Sequence, residues 1–109
     1  MTHAVLVLNG ARDDGREIRP YVSDRFGANA WRDTDQKYRA LLRDIGQFPH
    51  AGSVPVEATN LGLQDVRQRL LGPTRIIYQI DAAHVYIRLF VSVRRDFMAM
   101  LMERVLKSE

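Results

Sequence analysis

The sequence predicts an α+β fold: an N-terminal strand, an antiparallel helical hairpin packed on a small antiparallel sheet, and a short C-terminal helix. Three observations carry this reading. Apolar residues recur at helical spacing through much of residues 11–48, they alternate at period two between residues 63 and 94, and Asp96 opens a last stretch at helical spacing.

The elements follow in order. Val5, Leu6, Val7 and Leu8 form an apolar run that ends at Asn9-Gly10, a strong turn pair, so residues 4–8 read as a strand. From Ala11 onward Ile18, Tyr21 or Val22, and Phe26 keep helical spacing, and Gly27 stands where a helix stops. Pro20 costs about 3 kcal/mol in a helix interior, which predicts a kink there or a start near Arg19, and Gly15 weakens the first part further. In a second helix Trp31, Tyr38, Leu41, Leu42, Ile45 and Phe48 share one stripe, while Arg32, Asp35, Arg39 and Arg43 fall largely outside it. Pro49 ends that helix. With only Gly27 between them, the two helices are expected to pair antiparallel. Residues 49–55 have turn chemistry, and residues 56–62 show no strong period.

From Leu63 the period is two. Val66, Gln68 and Leu70 oppose Arg67, Arg69 and Leu71, and Gly72-Pro73 makes a turn. Ile76, Tyr78 and Ile80 then alternate with Arg75, Ile77 and Gln79, and Asp81 to His84 closes a short hairpin. Val85, Ile87, Leu89, Val91 and Val93 alternate with Tyr86, Arg88, Phe90, Ser92 and Arg94. Asp96 is placed to cap a final helix in which Phe97, Leu101, Met102 and Val105 share a face.

Composition narrows the class. A chain of 109 residues with 46% hydrophobic content is sized for one domain over residues 1–109, and its apolar runs fall far short of the roughly 20 residues that span a bilayer. The first residues lack the basic, then long apolar, pattern of a secretory signal, and there is no cysteine, so a cytoplasmic location is expected. His3, His50 and His84 are isolated, with no metal-ligand spacing among them, and no glycine-rich phosphate loop or recognisable nucleophile is present. No metal or cofactor is therefore expected.

Charge is the stronger clue. The formal net charge is +3, all of it in residues 61–109, and between Arg67 and Arg95 six arginines stand against one carboxylate, Asp81. If the apolar sets face the helical hairpin, Arg67, Arg69, Arg75, Arg88 and Arg94 share the outer face of one sheet. Such a face is either solvated and balanced by nearby carboxylates or reserved for an anionic partner. Met98, Met100 and Met102 lie on more than one side of the last helix, and those left outside the core would suit a protein contact.

Four segments carry a resemblance. Glu17 to Gly27 (EIRPYVSDRFG), Leu41 to Gly52 (LLRDIGQFPHAG), Gly72 to Ile80 (GPTRIIYQI) and Val85 to Asp96 (VYIRLFVSVRRD) stand in the order found in the RelE/ParE superfamily of type II toxins, and together the chain resembles its ParE-like, plasmid-stabilisation branch most. The resemblance implies a small toxin that causes growth arrest and is neutralised by a cognate antitoxin in a toxin–antitoxin hetero-oligomer. Two mechanisms are implied. RelE-like members cut messenger RNA on the ribosome, and Arg75 and Arg95 match arginine positions that they use. The C-terminal Tyr or His of several such members has no counterpart after Arg95, and Asp96, beside Arg94 and Arg95, favours its ionised form and a capping role. ParE-like members instead bind DNA gyrase, which requires a surface and no proton carrier, so the expectation leans away from an enzyme. The expected partner-contacting residues are Arg67, Arg69, Arg75, Arg88, Arg94, Arg95, Met98 and Met102. A ribosome-dependent endoribonuclease and an inactive toxin-fold binding module are the alternatives.

Overall fold

A computed structural model of the chain describes residues 2–72 and 74–92. The expected end of the last strand, with Arg94 and Arg95, and the expected helix carrying Met98 and Met102 lie outside the described residues.

Strand β1 (Ala4–Val7) leads into helix α1 (Asn9–Phe26), helix α2 (Ala28–Gln47), a 3-10 turn (Pro49–Ala51) and a short helix α3 (Val56–Asn60). Strands β2 (Val66–Leu71), β3 (Thr74–Ile80) and β4 (His84–Ser92) follow. The sheet order is β1-β4-β3-β2, with β2–β3 and β3–β4 antiparallel and β1 parallel to β4. The sheet is thus mixed, where an antiparallel one was expected.

Helix α1 starts at Asn9, so Asn9-Gly10 forms its first turn, and Gly10 and Ala11 are buried there. The helix also runs through Pro20, correcting the expected start near Arg19. Gly27 alone links α1 to α2, at φ 90°, a backbone conformation that side chains with a Cβ disfavour. Ala11, Tyr38, Leu41, Leu42 and Ile45 of the two helices pack with Ile76, Tyr78, Ile80, Val85, Ile87 and Phe90 of the sheet. The ring edge of one meets the face of the other at Tyr38 and Phe90, 5.4 Å apart, and burial raises the Tyr38 pKa. Phe48 leaves the expected stripe, because α2 has already ended and the ring is 59% exposed.

The opposite face of the sheet is not bare. Val66, Ile77, Leu89 and Val91 cluster there with Ala58 of α3, and Leu61 and Leu63 pack against them. This corrects the even alternation expected of β4. Ile77 pairs with Leu89 and Tyr78 with Ile87, so Arg88 has no opposite residue and the register shifts by one. Before this bulge Val85 and Ile87 face the helices; after it Phe90 does, while Leu89 and Val91 turn to the other side. The N–H of Phe90 donates to Asp14 Oδ2 of α1 at 3.0 Å. A helix side chain thereby continues the hydrogen bonding of β4 past the end of β1.

Candidate functional site

Strand register decides where the arginines go. Arg67 is opposite Tyr78 and Arg69 opposite Ile76, so both lie on the helix-facing side of β2, whereas Arg75 lies opposite Leu70 and Val91 on the other side. The single outer arginine face expected from alternation is therefore split between two faces. Edge strand β2 extends beyond the apolar centre, which lets long cationic side chains occupy its inner side and reach acceptors at the margin.

Each of the three meets an acceptor of the chain itself. Arg67 Nη1 donates to the Gly52 carbonyl at 3.2 Å, and Arg69 Nη1 donates to Asp44 Oδ2, at the end of α2, at 2.8 Å. Arg75 is bound most completely. Its Nη1 and Nη2 donate to Glu57 Oε2 and Oε1 at 3.0 and 3.1 Å, and its Nε donates to Gln68 Oε1 at 2.8 Å. The side chains of Arg75 and Glu57 are only 14% and 21% exposed. The guanidinium hydrogen bonds hold the Glu57 carboxyl below the usual carboxylate range, outweighing the opposing effect of burial. A fork-to-fork pair of this kind fixes α3 against β3 more firmly than a solvated ion pair would.

The segment between α2 and α3 is tied down around this pair. The Tyr78 hydroxyl donates to the Pro49 carbonyl at 2.7 Å, and Ser53 and Gln68 exchange backbone hydrogen bonds at 3.2 and 2.8 Å. Gln68 Nε2 also donates to Ser53 Oγ at 3.2 Å, which turns the Gln68 carbonyl oxygen toward Arg75. Gly52 is required by this closeness: a Cβ there would overlap the Tyr78 hydroxyl and lie 2.7 Å from the Gln68 carbonyl oxygen.

Arg88 lies at the bulge of β4. With Leu8, Gln79, Asp81 and Tyr86 it lines a shallow depression of about 300 Å³. Asp81 accepts the Ala83 and His84 backbone N–H groups in the hairpin turn, and these hold its pKa down; it also accepts from the Tyr86 hydroxyl at 2.9 Å, which pushes the Tyr86 pKa up. A larger, mostly apolar concavity of about 430 Å³ lies between His3, Phe48 and His50. Among the described residues no three potential metal ligands come together.

Sequence reasoning missed Glu57. Its signal was present: it is the lone carboxylate between Asp44 and Asp65, and it sits in the first turn after Pro55, where acidic residues and proline mark a helix start. Of the expected contact residues, Arg67, Arg69 and Arg75 are engaged internally, Arg88 borders the shallow depression, and Arg94, Arg95, Met98 and Met102 lie outside the described residues.

Comparison with known proteins gives a consistent answer. The family model for the ParE toxin of type II toxin-antitoxin systems, parDE, matches residues 5–97. A solved structure described as a chromosomal ParDE TA system from P. aeruginosa is similar in fold, with a TM-score of 0.67 and 13% identity over 84% of this chain and 96% of that one. No curated protein sequence matches.

Proposed function

We infer the function from one premise: this chain belongs to the ParE toxin family of type II toxin-antitoxin systems. From that premise we propose a cytoplasmic toxin that arrests growth by binding DNA gyrase and is neutralised by a cognate antitoxin. No described helix is long and apolar enough to cross a membrane.

The Arg75–Glu57 pair is the observation that favours binding over catalysis. A ribonuclease needs cationic groups around the scissile phosphate and a group that moves the proton of the attacking hydroxyl. Arg75, the described residue that resembles a RelE-type arginine, already has both ends of its fork on a carboxylate. Binding requires only a surface, and Arg67, Arg69 and Arg75 serve it as positioning residues that hold the 49–57 segment and β2 in place. Contact with the target is proposed for Arg88, Arg94, Arg95, Met98 and Met102. The antitoxin segment that covers these cations is acidic, with apolar side chains interleaved.

The purified chain, mixed with gyrase and relaxed or supercoiled plasmid, is expected to block supercoiling or to accumulate cleaved DNA. Gyrase that supercoils at its normal rate in excess toxin would overturn the reading. Co-expression of the neighbouring antitoxin is expected to restore growth.

A further inference from the structure

The helical hairpin is fastened to the sheet at one end. Its described core residues are Ala11, near the start of α1, and Tyr38, Leu41, Leu42 and Ile45 in the second half of α2. None of the described residues from 23 to 34 belongs to either core cluster. At 1.5 Å per residue, Gly27 stands about 16 Å beyond Tyr38 along α2, so the turn between the helices is the tip of an arm.

The tip keeps an apolar group in water. Phe26 is 68% exposed, more than any other large hydrophobic side chain among the described residues, and no charged residue lies between Arg25 and Arg32. Opposite charges flank it on different helices: Asp24 on α1 and Arg32 on α2 are both exposed. Among the described residues neither has an ion-pair partner in its own chain. Helix α1 ends at the tip and α2 begins there, which adds the negative pole of one helix on the Asp24 side and the positive pole of the other on the Arg32 side.

We propose that this tip is a contact between two copies of the chain, related by a two-fold axis that sets α1 of each against α2 of the other. A two-fold contact uses one patch twice, so it closes only where the patch is complementary to itself. This patch is: Asp24 of each copy meets Arg32 of the other, the helix poles meet head to tail, and the two Phe26 rings pack between them. A foreign partner would have to supply the same alternation of charge around an apolar centre, whereas a second copy carries it already. The patch is small, which sets a weak, reversible dimer with a Kd on the order of 0.1 mM. The inference is independent of gyrase as the target, because its test uses the chain alone.

Sedimentation equilibrium of the chain at concentrations up to about 1 mM, well above that Kd, is expected to show a monomer–dimer equilibrium. Phe26→Ser, a change outside both core clusters, is expected to weaken the dimer at least about tenfold. Asp24→Lys and Arg32→Glu each place like charges at both contacts, and each alone is expected to stay monomeric. Mixed in equal amounts they restore two opposite-charge pairs, and the mixture is expected to dimerise. A wild type that stays monomeric throughout would overturn the proposal. A dimer that Phe26→Ser leaves unchanged, or a mixture of the two charge variants that stays monomeric, would overturn the placement of the contact at the tip.

Discussion

Replacing Asp14 with alanine removes the acceptor that receives the Phe90 N–H at 3.0 Å. The carboxylate lies on α1 and the amide on β4 just past its bulge, so the bond joins two elements through residues 76 positions apart in the chain. Phe90 is 8% exposed and belongs to the main core, which leaves its amide little access to a substitute from water. An N–H bond to a charged acceptor contributes about 1.5–3 kcal/mol, and stranding a buried donor costs about 1–3 kcal/mol. The expected loss is therefore about 2 kcal/mol. With a urea slope of about 1–3 kcal/mol per molar for a small domain, the midpoint falls by about 1 M. Hydrogen exchange gives the local check, since the Phe90 amide should exchange faster in Asp14→Ala than neighbouring β4 amides do. Asp14→Asn keeps a neutral acceptor and should recover about half of the stability. A midpoint shift worth less than about 0.5 kcal/mol, the range of an ordinary surface change, would refute the reasoning.

Three further outcomes are expected. Gly52→Ala should cost about 1–3 kcal/mol by overpacking against the Gln68 carbonyl and the Tyr78 hydroxyl, read as a lower thermal midpoint with loss of the Tyr78–Pro49 hydrogen bond. Phe90→Ala should cost about 3–5 kcal/mol, because it opens a cavity under Tyr38 where the rings meet edge to face, and chemical denaturation would measure it. The Glu57 carboxyl has its folded pKa below the ordinary value of 4.5, so its stabilisation is fully present above that value and is lost as pH falls through the lowered one. Glu57→Gln should therefore be less stable than the wild type at neutral pH and converge with it in acid, which unfolding curves across the acid range would show.

How much of this was legible depended on the distance over which each feature is specified. The phase of β3 could be read because Ile76, Tyr78 and Ile80 alternate with Arg75, Ile77 and Gln79. That of β2 could not, because only its pairing with β3 turns Arg67 and Arg69 to the helix side and Val66 to the other. Nor could that of β4, because Leu89, Phe90 and Val91 are all apolar and fit either phase; only pairing with β3 places the bulge at Arg88. α3 is too short to show a period, and Asn9-Gly10 has turn chemistry that the packing of α1 on the sheet overrides. At the candidate site the arginines were visible as a charge run, but their partners were not. Asp44 and Glu57 approach them from 25 and 18 positions away, a relation that no local pattern encodes.

The bulge at Arg88 gives β4 one residue more than its pairing with β3 uses, which its composition conceals. Exchanging Leu89, Phe90 or Val91 for another apolar residue changes volume and leaves each side chain on its own face. Deleting Arg88 would remove the one residue that the pairing with β3 skips, so Ile87 and Leu89 would oppose Tyr78 and Ile77 in unbroken succession and Phe90 and Val91 would keep their faces. Homologous chains should therefore drift freely in hydrophobic identity along this strand, and a single-codon gap within it is expected to remove Arg88 in preference to Leu89, which fills the α3-facing cluster.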